Sequence, residues 1–294
     1  MRSILAAAGI LLLTPQQTRT DPGVMKGQHP ISDRRISESS AVVASRKYPG
    51  RLWTLNDSGG NPVIFAIDSA GNTLNTMSVR NAKNRDWEAL ALGPCPAGSC
   101  LYIGDTGDNG ERRRTATIYR VAEPAPLPGG QNGITGEVSE LEVRYQDGRH
   151  DAEAMYVEPD GSVIIVTKGR RGGVRTYRVP PAAWTGTGPG IAMRVDSLPI
   201  PASLSAGRVV TDAAIRPDGR EVAVRTYFEV WFFARGLDGH LQLDRTRPVC
   251  AIPLGAERQG EGIDYWNSST LVLTSERGVR WREGTIWFMW CPDK

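Results

Sequence analysis

Five acidic residues recur at the start of short apolar segments, and carboxylates at repeated positions can bind a hard cation. They are Glu38, Glu88, Glu153, Asp212 and Glu261, each followed by a small residue. Two like charges about 4 Å apart repel by about 4 kcal/mol at an effective dielectric of 20. A ring of carboxylates therefore needs a cation, protonation, basic partners or water, and oxygen ligands favour Ca²⁺ before Mg²⁺. The alternative is that each acid accepts a hydrogen bond from the backbone of a neighbouring repeat.

Polar residues end the second strands of the repeats and could reach the same place as the acids. These rim candidates are Asp57, Asp105, Asp108, Asn109, Lys168, Arg225 and Glu276. Lys168 and Arg225 could offset the acids of the third and fourth repeats, which leaves the other three acids to bind the ion. Residues 104–109 are dense in oxygen ligands and form either a second ion site or a turn held by Asp and Asn side chains.

Catalysis by such a site would be metal-assisted hydrolysis, in which the ion polarises a lactone or phosphoester oxygen. Glu88 and Glu153 are the candidate bases, since each lies close to a further acid, Asp86 or Asp151. His150 is a weaker candidate, because adjacent residues on a strand point to opposite faces and His150 would point away from Asp151. The chain has no nucleophile elbow, P-loop, zinc-protease motif or dinucleotide fingerprint.

The elements that must position the acids are β-strands in a repeated unit. Each acid precedes or opens an apolar strand, and a turn and a second apolar strand follow; the acids are 50, 65, 59 and 49 residues apart. Repeats of about this length with four strands each predict an all-β chain, a β-propeller of five four-stranded blades. Six blades result if residues 180–207 contain another. Residues 24–36 are predicted to supply the outer strand of the last blade and so close the ring.

Trp87 precedes Glu88 and either lines a ligand pocket or wedges between two blades. Large aromatic side chains mostly serve burial, so we expect the wedge.

The first residues of the chain have the pattern of an export signal. Arg2 is followed by an apolar run over residues 4–13, which is too short to span a bilayer. We predict a signal peptide over residues 1–20 and a single propeller domain over residues 21–294, secreted or periplasmic and monomeric. With 35 Lys and Arg against 32 Asp and Glu, the chain lacks the basic excess of nucleic-acid readers.

Four cysteines suit an exported protein, in which disulfides persist. Cys95 and Cys100 flank a turn between two strands, where their Cα atoms can come within bonding distance. Cys250 and Cys291 would then form the second disulfide. The alternative, a metal site, lacks the usual Cys and His spacing.

Several motifs in residues 36–124 carry a resemblance to known proteins. They are Ser37-Glu38-Ser39, residues 52–59, Asp86-Trp87-Glu88, residues 102–109 and residues 118–121. This third of the chain resembles a group of exported bacterial propeller proteins of unassigned function. Across all five repeats the chain is similar to calcium propellers such as gluconolactonases and paraoxonases. That resemblance implies Ca²⁺ in the central channel and hydrolysis of lactones or phosphoesters, although the ring of acids here lacks their asparagines.

Two functions follow from these patterns. The first is an exported propeller that binds calcium and presents one face to a small molecule, a glycan or an envelope protein without catalysing a reaction. The alternative is a calcium-dependent hydrolase of lactones or phosphoesters. A purely structural domain is the third interpretation.

Overall fold

A computed structural model describes residues 20–205, 207–277 and 283–291. The predicted signal peptide therefore lies, apart from Thr20, outside the described residues. Within them the regular structure is β-strand, with two short 3-10 helices at Pro128–Gly130 and Pro181–Thr185. The predicted all-β class is confirmed.

Twenty-three strands are numbered in chain order. They are β1 (Thr20–Pro22), β2 (Val24–Pro30), β3 (Ser39–Ala44), β4 (Leu52–Asn56), β5 (Val63–Ile67), β6 (Thr73–Ser78), β7 (Trp87–Cys95), β8 (Gly98–Asp105), β9 (Ala116–Ala122), β10 (Asn132–Ile134), β11 (Val138–Tyr145), β12 (Ala152–Val157), β13 (Val163–Thr167), β14 (Val174–Val179), β15 (Gly190–Leu198), β16 (Val210–Ile215), β17 (Glu221–Thr226), β18 (Glu229–Arg235), β19 (Leu241–Leu243), β20 (Val249–Ala251), β21 (Gly260–Tyr265), β22 (Thr270–Ser275) and β23 (Thr285–Trp290).

The strands form antiparallel units that follow the chain. Unit 1 is β3 to β6, unit 2 is β7, β8, β9 and β11, and unit 3 is β12 to β15. Unit 4 is β16, β17, β18 and β20, and unit 5 is β21 to β23. The N-terminal strand β2 pairs antiparallel with β23, so it forms the outer edge of unit 5. A parallel pairing of β11 with β15 joins units 2 and 3 into one eight-stranded sheet.

The first strands of the units pack on one another in cyclic order. Strand β3 packs against β7, β7 against β12, β12 against β16, β16 against β21, and β21 against β3. Because each first strand lies between two others, β3, β12 and β21 are buried along their whole length. Radially arranged sheets with their first strands around one axis make this a β-propeller.

The hydrophobic core lies between neighbouring units. Five clusters of buried side chains each join two units, and every fully buried aliphatic or Phe side chain contributes about 1.5–3 kcal/mol. Trp87 belongs to the cluster between units 1 and 2, with 0% of its surface exposed. Its indole Nε1 donates to the Lys83 carbonyl at 2.9 Å. The wedge prediction for Trp87 therefore agrees with its burial.

Both predicted disulfides are present. Cys95 bonds Cys100 across the β7–β8 hairpin, and Cys250 in β20 bonds Cys291 just after β23. In the described part of the chain, no helix has the length and apolar character needed to cross a bilayer.

Candidate site at one mouth of the channel

Every first strand has a β-bulge near its start. In β7, Trp87 pairs with Asp105 and Ala89 with Gly104, so Glu88 is the extra residue. The residues at the five bulge positions are Ser40, Glu88, Glu153, Thr211 and Glu261. A bulge bends the strand and re-aims the extra side chain, so these positions are structurally equivalent.

The predicted equivalence of the five acids is correct for three of them and wrong for Glu38 and Asp212. Glu38 lies two residues before the bulge of unit 1, and its side chain is exposed. Asp212 lies one residue after the bulge of unit 4 and is fully buried. Register is fixed by strand pairing, which an acid followed by a small residue does not reveal.

Asp212 caps the backbone of the next unit, as the alternative interpretation of the acids predicted. Its Oδ2 accepts a hydrogen bond from the Ile263 N–H of β21 at 2.8 Å, and its Oδ1 accepts from Ala213 N–H at 2.8 Å. The hydroxyls at the bulges bridge units as well. Ser40 Oγ donates to the Trp87 carbonyl and Thr211 Oγ1 to the Glu261 carbonyl, both at 3.0 Å.

The second strands end beside these bulges and contribute a further set of side chains. The residues that directly follow the pairing partners are Asp57, Thr106, Lys168, Tyr227 and Glu276. Of these, Asp57, Lys168 and Glu276 were predicted, and Thr106 lies in the predicted loop over residues 104–109, whereas Tyr227 was not predicted. A signal for Tyr227 was present in the sequence, because it directly follows an apolar second strand, as Asp57 does.

The term acidic mouth is used below for the ionisable side chains that these elements bring together. They are Glu38, Asp57, Asp86, Glu88, Asp151, Glu153, Lys168, Glu261 and Glu276. Burial raises the pKa of Glu88 well above its usual value, and the charges of Glu153 and Asp57 raise it further. Burial likewise raises the pKa of Glu261, with contributions from Glu153 and Glu276. Carboxyls from units 1, 2, 3 and 5 therefore share one electrostatic site.

Lys168 is the basic member of the acidic mouth. Its ammonium Nζ lies 2.5 Å from Oε1 of Glu153, and both side chains are more than nine-tenths buried. Burial raises the pKa of Glu153, which the Lys168 ammonium opposes. The predicted compensation of the unit 3 acid by Lys168 is thus seen in the structure.

Arg225 does not pair with the acid of its own unit. Its guanidinium forms a buried ion pair with Glu257, and its Nη1 donates to the Gly262 carbonyl at 2.7 Å. It occupies the space beside Gly260, where any Cβ would collide with it. Arg225 therefore forms its ion pair with Glu257 in place of Asp212, although burial raises the pKa of Asp212 and the Arg225 charge still opposes that rise, as the predicted offset requires.

Asp57, Asp86 and Glu88 form the tightest carboxylate cluster. One oxygen from each lies within 4.8 Å of the other two. Gly107 covers this cluster, since a Cβ there would come within 2.5 Å of the Asp86 carboxyl and 2.9 Å of Glu88 Cγ. Burial raises the pKa of Asp86 to about 6, the Asp57 charge adds to this effect, and Arg113 opposes it. Asp86 is a site residue that the prediction named only as a neighbour of Glu88.

Asp151 reaches the cluster from unit 3. It is 3% exposed, and its Oδ1 accepts the Asp108 N–H at 2.8 Å. Its Oδ2 is buried and has no hydrogen-bond partner among the described residues. The Asp151 charge is among the causes that raise the pKa of Asp86, so the two carboxylates interact.

The loop over residues 104–109 is held by its own side chains. Asp105 forms an ion pair with Arg113 at 2.7 Å, and Asp108 Oδ2 accepts the Arg113 N–H at 2.6 Å. Asn109 is exposed. These contacts support the interpretation of residues 104–109 as a turn and not as a second ion site.

His150 lies in the loop between β11 and β12, so strand alternation does not apply to it, and its contacts are with residues outside the acidic mouth. Its Nε2 lies 2.9 Å from Asp147 Oδ1 and 2.8 Å from the Tyr177 hydroxyl. The imidazole also stacks on the Tyr177 ring, with centroids 5.1 Å apart. A role at the site is therefore not supported for His150.

No protein-family model and no curated protein matches this chain. Solved structures that resemble it include virginiamycin B lyase from Staphylococcus aureus, with 12% identity, a TM-score of 0.42, and coverage of 86% of this chain and 66% of that one. Kuenenia stuttgartiensis hydrazine synthase has 11% identity, a TM-score of 0.41, and coverage of 83% and 58%. The Dos1 propeller has 12% identity, a TM-score of 0.40, and coverage of 81% and 52%.

The chain thus spans about half to two thirds of the length of these proteins. The propeller fold rests on the strand pairing and packing described above. No family match supports the resemblance to gluconolactonases and paraoxonases.

Proposed function

We propose that the acidic mouth binds a divalent cation, Ca²⁺, at Asp57, Asp86 and Glu88. The observation that carries the proposal is the short distance between these side chains: one carboxylate oxygen from each lies within 4.8 Å of the other two. Ca²⁺ binds oxygen ligands at about 2.3–2.6 Å, so two ligands of one ion are separated by up to about 5 Å. Three carboxylates at this spacing can share one ion with water as further ligands.

The unpartnered oxygen of Asp151 is an independent reason to place a cation here. A buried acceptor without a hydrogen bond costs about 1–3 kcal/mol, and more when it is charged. A cation at the neighbouring cluster, directly or through a bound water, would compensate the Asp151 Oδ2. Among the described residues no ion pair joins Asp57, Asp86 or Glu88 to a basic side chain, whereas Lys168 already serves Glu153.

The donor set favours calcium over softer metals. All the oxygens come from carboxylates, which are ligands of Ca²⁺ and Mg²⁺, and no His or Cys belongs to the cluster. Mg²⁺ demands near-ideal octahedral geometry, whereas Ca²⁺ tolerates irregular sites.

We infer that the propeller is a ring of five blades closed by β2. The cyclic packing of the five first strands and the pairing of β2 with β23 support this count. Residues 180–207 supply strand β15 of unit 3, which argues against a sixth blade.

The proposed role is that of a binding protein outside the cytoplasm, monomeric, which presents its calcium-bearing mouth to a small molecule, a glycan or an envelope protein. Two disulfides are compatible with a secreted or periplasmic location.

A second candidate function is calcium-dependent hydrolysis of lactones or phosphoesters. The observation that favours it is Glu88, whose carboxyl is buried, has a raised pKa and belongs to the proposed ion site. A carboxyl with a raised pKa can serve as acid or base near neutral pH. Glu153 is the weaker candidate because Lys168 neutralises it.

Thermal unfolding with Ca²⁺, with Mg²⁺ and with a chelator tests the proposal. At a hundredfold excess over Kd, bound Ca²⁺ would add about 2.7 kcal/mol, or roughly 5–10 °C in Tm. Asp57→Asn, Asp86→Asn and Glu88→Gln should each reduce this gain. Glu142→Gln is the matched control, since Glu142 lies exposed on β11.

Screening lactones and aryl esters with the same proteins separates the two functions. A calcium effect without turnover supports the binding protein, and turnover that Glu88→Gln and the chelator both abolish supports the hydrolase. If metal changed neither the Tm nor the turnover, both proposed functions would be rejected.

A further inference from the structure

The channel has a second mouth, at the opposite ends of the first strands. A cavity of about 410 Å³ lies there. It is lined by residues near the C-terminal ends of those strands, such as Leu92 of β7 and Val157 of β12. Leu92 lies four residues after Glu88, so this cavity is about 13 Å along the strand from the acidic mouth.

The lining of this cavity combines apolar surface with a few charged side chains. The apolar surface open to a ligand comes from the partly exposed Leu92 on β7 and Ile215 on β16, together with the prolines at the opening. The charged residues of the lining are Arg46 after β3, Asp264 on β21 and Arg216 after β16. A molecule inside the cavity would thus meet both apolar side chains and charged groups.

The charges that line the cavity sum to one positive charge at neutral pH. Asp264 is already satisfied, because its Oδ2 accepts the Ala44 N–H at 2.7 Å and lies 3.3 Å from Arg46 Nη2. Arg46 uses Nη2 alone in its contacts with the described residues, which leaves Nε and Nη1 for a ligand. Arg216 donates from Nε to Asp218 at 3.0 Å, and its Nη1 lies 3.6 Å from Glu221.

Three prolines lie at the rim of the cavity. Pro94, Pro159 and Pro217 are exposed where the first strands turn into the second strands. Proline fixes its own φ, so the backbone has less freedom at these three positions. A pre-formed cavity of this volume is within the range that holds small organic ligands.

We propose that this cavity is a second binding site, which takes an organic monoanion with an apolar body, such as a carboxylate of medium chain length. The apolar body lies against Leu92 and Ile215, and the carboxylate accepts hydrogen bonds from Arg46 and Arg216. The site is separate from the cation site of the acidic mouth and does not depend on it.

The test is a titration of the full chain, disulfides intact, with three probes of equal length: octanoate, octan-1-ol and octylammonium. Calorimetry or ligand-observed NMR gives Kd. We expect octanoate to bind saturably and more tightly than the other two, with the same Kd in Ca²⁺ and in chelator. Independence from Ca²⁺ makes failure of the cation proposal distinguishable from failure of this one.

Variants locate the site. Arg46→Gln and Arg216→Gln should each raise the Kd of octanoate about three- to tenfold, as expected for partly exposed charge-assisted hydrogen bonds. Leu92→Glu should abolish binding, because it replaces apolar surface of the cavity by a carboxylate that repels the carboxylate of octanoate. Arg35→Gln removes a comparable exposed Arg–Asp pair elsewhere and should leave Kd unchanged. The proposal is overturned if octanoate does not saturate folded wild type, if octan-1-ol or octylammonium binds as tightly, or if both arginine variants keep the wild-type Kd.

Discussion

The ammonium of Lys168 lies 2.5 Å from the carboxylate of Glu153, and this pair divides the acidic mouth into two parts. On the Glu153 side, the ammonium of Lys168 is the counter-charge. On the side of Asp57, Asp86 and Glu88, three carboxylates lie close together, and among the described residues no ion pair joins them to a basic side chain. The second part is therefore where we propose that an external cation binds.

Replacement of Lys168 by Met should destabilise the protein strongly, because it leaves Glu153 buried without a counter-charge. Loss of one partner of a buried pair costs about 3–5 kcal/mol. Urea unfolding in the presence of chelator measures the loss. The double variant Lys168→Met/Glu153→Gln should recover most of it, and Lys26→Met on exposed β2 should cost little. An unchanged urea midpoint for Lys168→Met would contradict the pairing.

Without a bound cation, the stability of the protein should fall as pH rises between about 4.5 and 7. Burial and the charges of Asp57 and Glu38 raise the pKa of Glu276 to about 7, from the usual 4.5. A carboxyl with a raised pKa in the folded state binds its proton more tightly there than when unfolded. Its contribution is therefore present at low pH and lost as the group ionises.

Glu276→Gln isolates this effect. The amide oxygen of the variant can still accept the hydrogen bond that Gln259 Nε2 gives Glu276 Oε1 at 2.8 Å. In chelator the variant should gain about 1–2 kcal/mol over wild type at pH 8, once solvent screening of this half-buried group is included, and almost nothing at pH 5. Urea midpoints at the two pH values measure this. An equal gain at both would rule out titration of Glu276 as the cause.

Sequence reasoning found the repeat but not its register. Apolar strands, turns and small residues are local signals, and they sufficed for the all-β propeller and both disulfides. The bulge is a property of pairing between β16 and β17 and leaves no local trace, so Asp212-Ala213 looks like Glu88-Ala89 although Thr211 holds the equivalent position. Asp86 and Asp151 each lie two residues before a bulge, a position that residue types alone do not show.

Asp212 and Glu88 should therefore respond oppositely to substitution. Asp212→Ala removes the acceptor of two buried N–H groups, those of Ile263 and Ala213, and should cost about 2–4 kcal/mol. The gain in Tm on adding Ca²⁺ should persist in this variant. Glu88→Gln should keep most of the stability in chelator and lose the calcium gain. If Asp212→Ala lost the calcium-dependent gain in Tm, Asp212 would have to be counted among the residues of the cation site.

The two disulfides should differ in their contribution to stability. Cys250–Cys291 spans 41 residues and links units 4 and 5, whereas Cys95–Cys100 spans 5 within one hairpin. Chain entropy then predicts losses of about 4 and about 2 kcal/mol on replacing each pair by alanine. Urea unfolding of the two double variants measures the difference. Equal losses would show that loop entropy is not the main contribution of the longer bridge.

Gly107→Ala should weaken calcium binding without removing any ligand. The added Cβ would lie 2.5 Å from the Asp86 carboxyl, so that side chain must move, and Glu88 with it. We expect the calcium-dependent gain in Tm to fall by at least half, while stability in chelator changes by about 1–3 kcal/mol, as for other overpacked sites. Gly110→Ala is the matched control in the same loop, because its Cβ would meet only the flexible side chain of Arg112 at 3.3 Å. If both variants kept the full calcium gain, the cation would have to lie away from Asp86, since no ion held by that carboxylate could remain in place after its displacement.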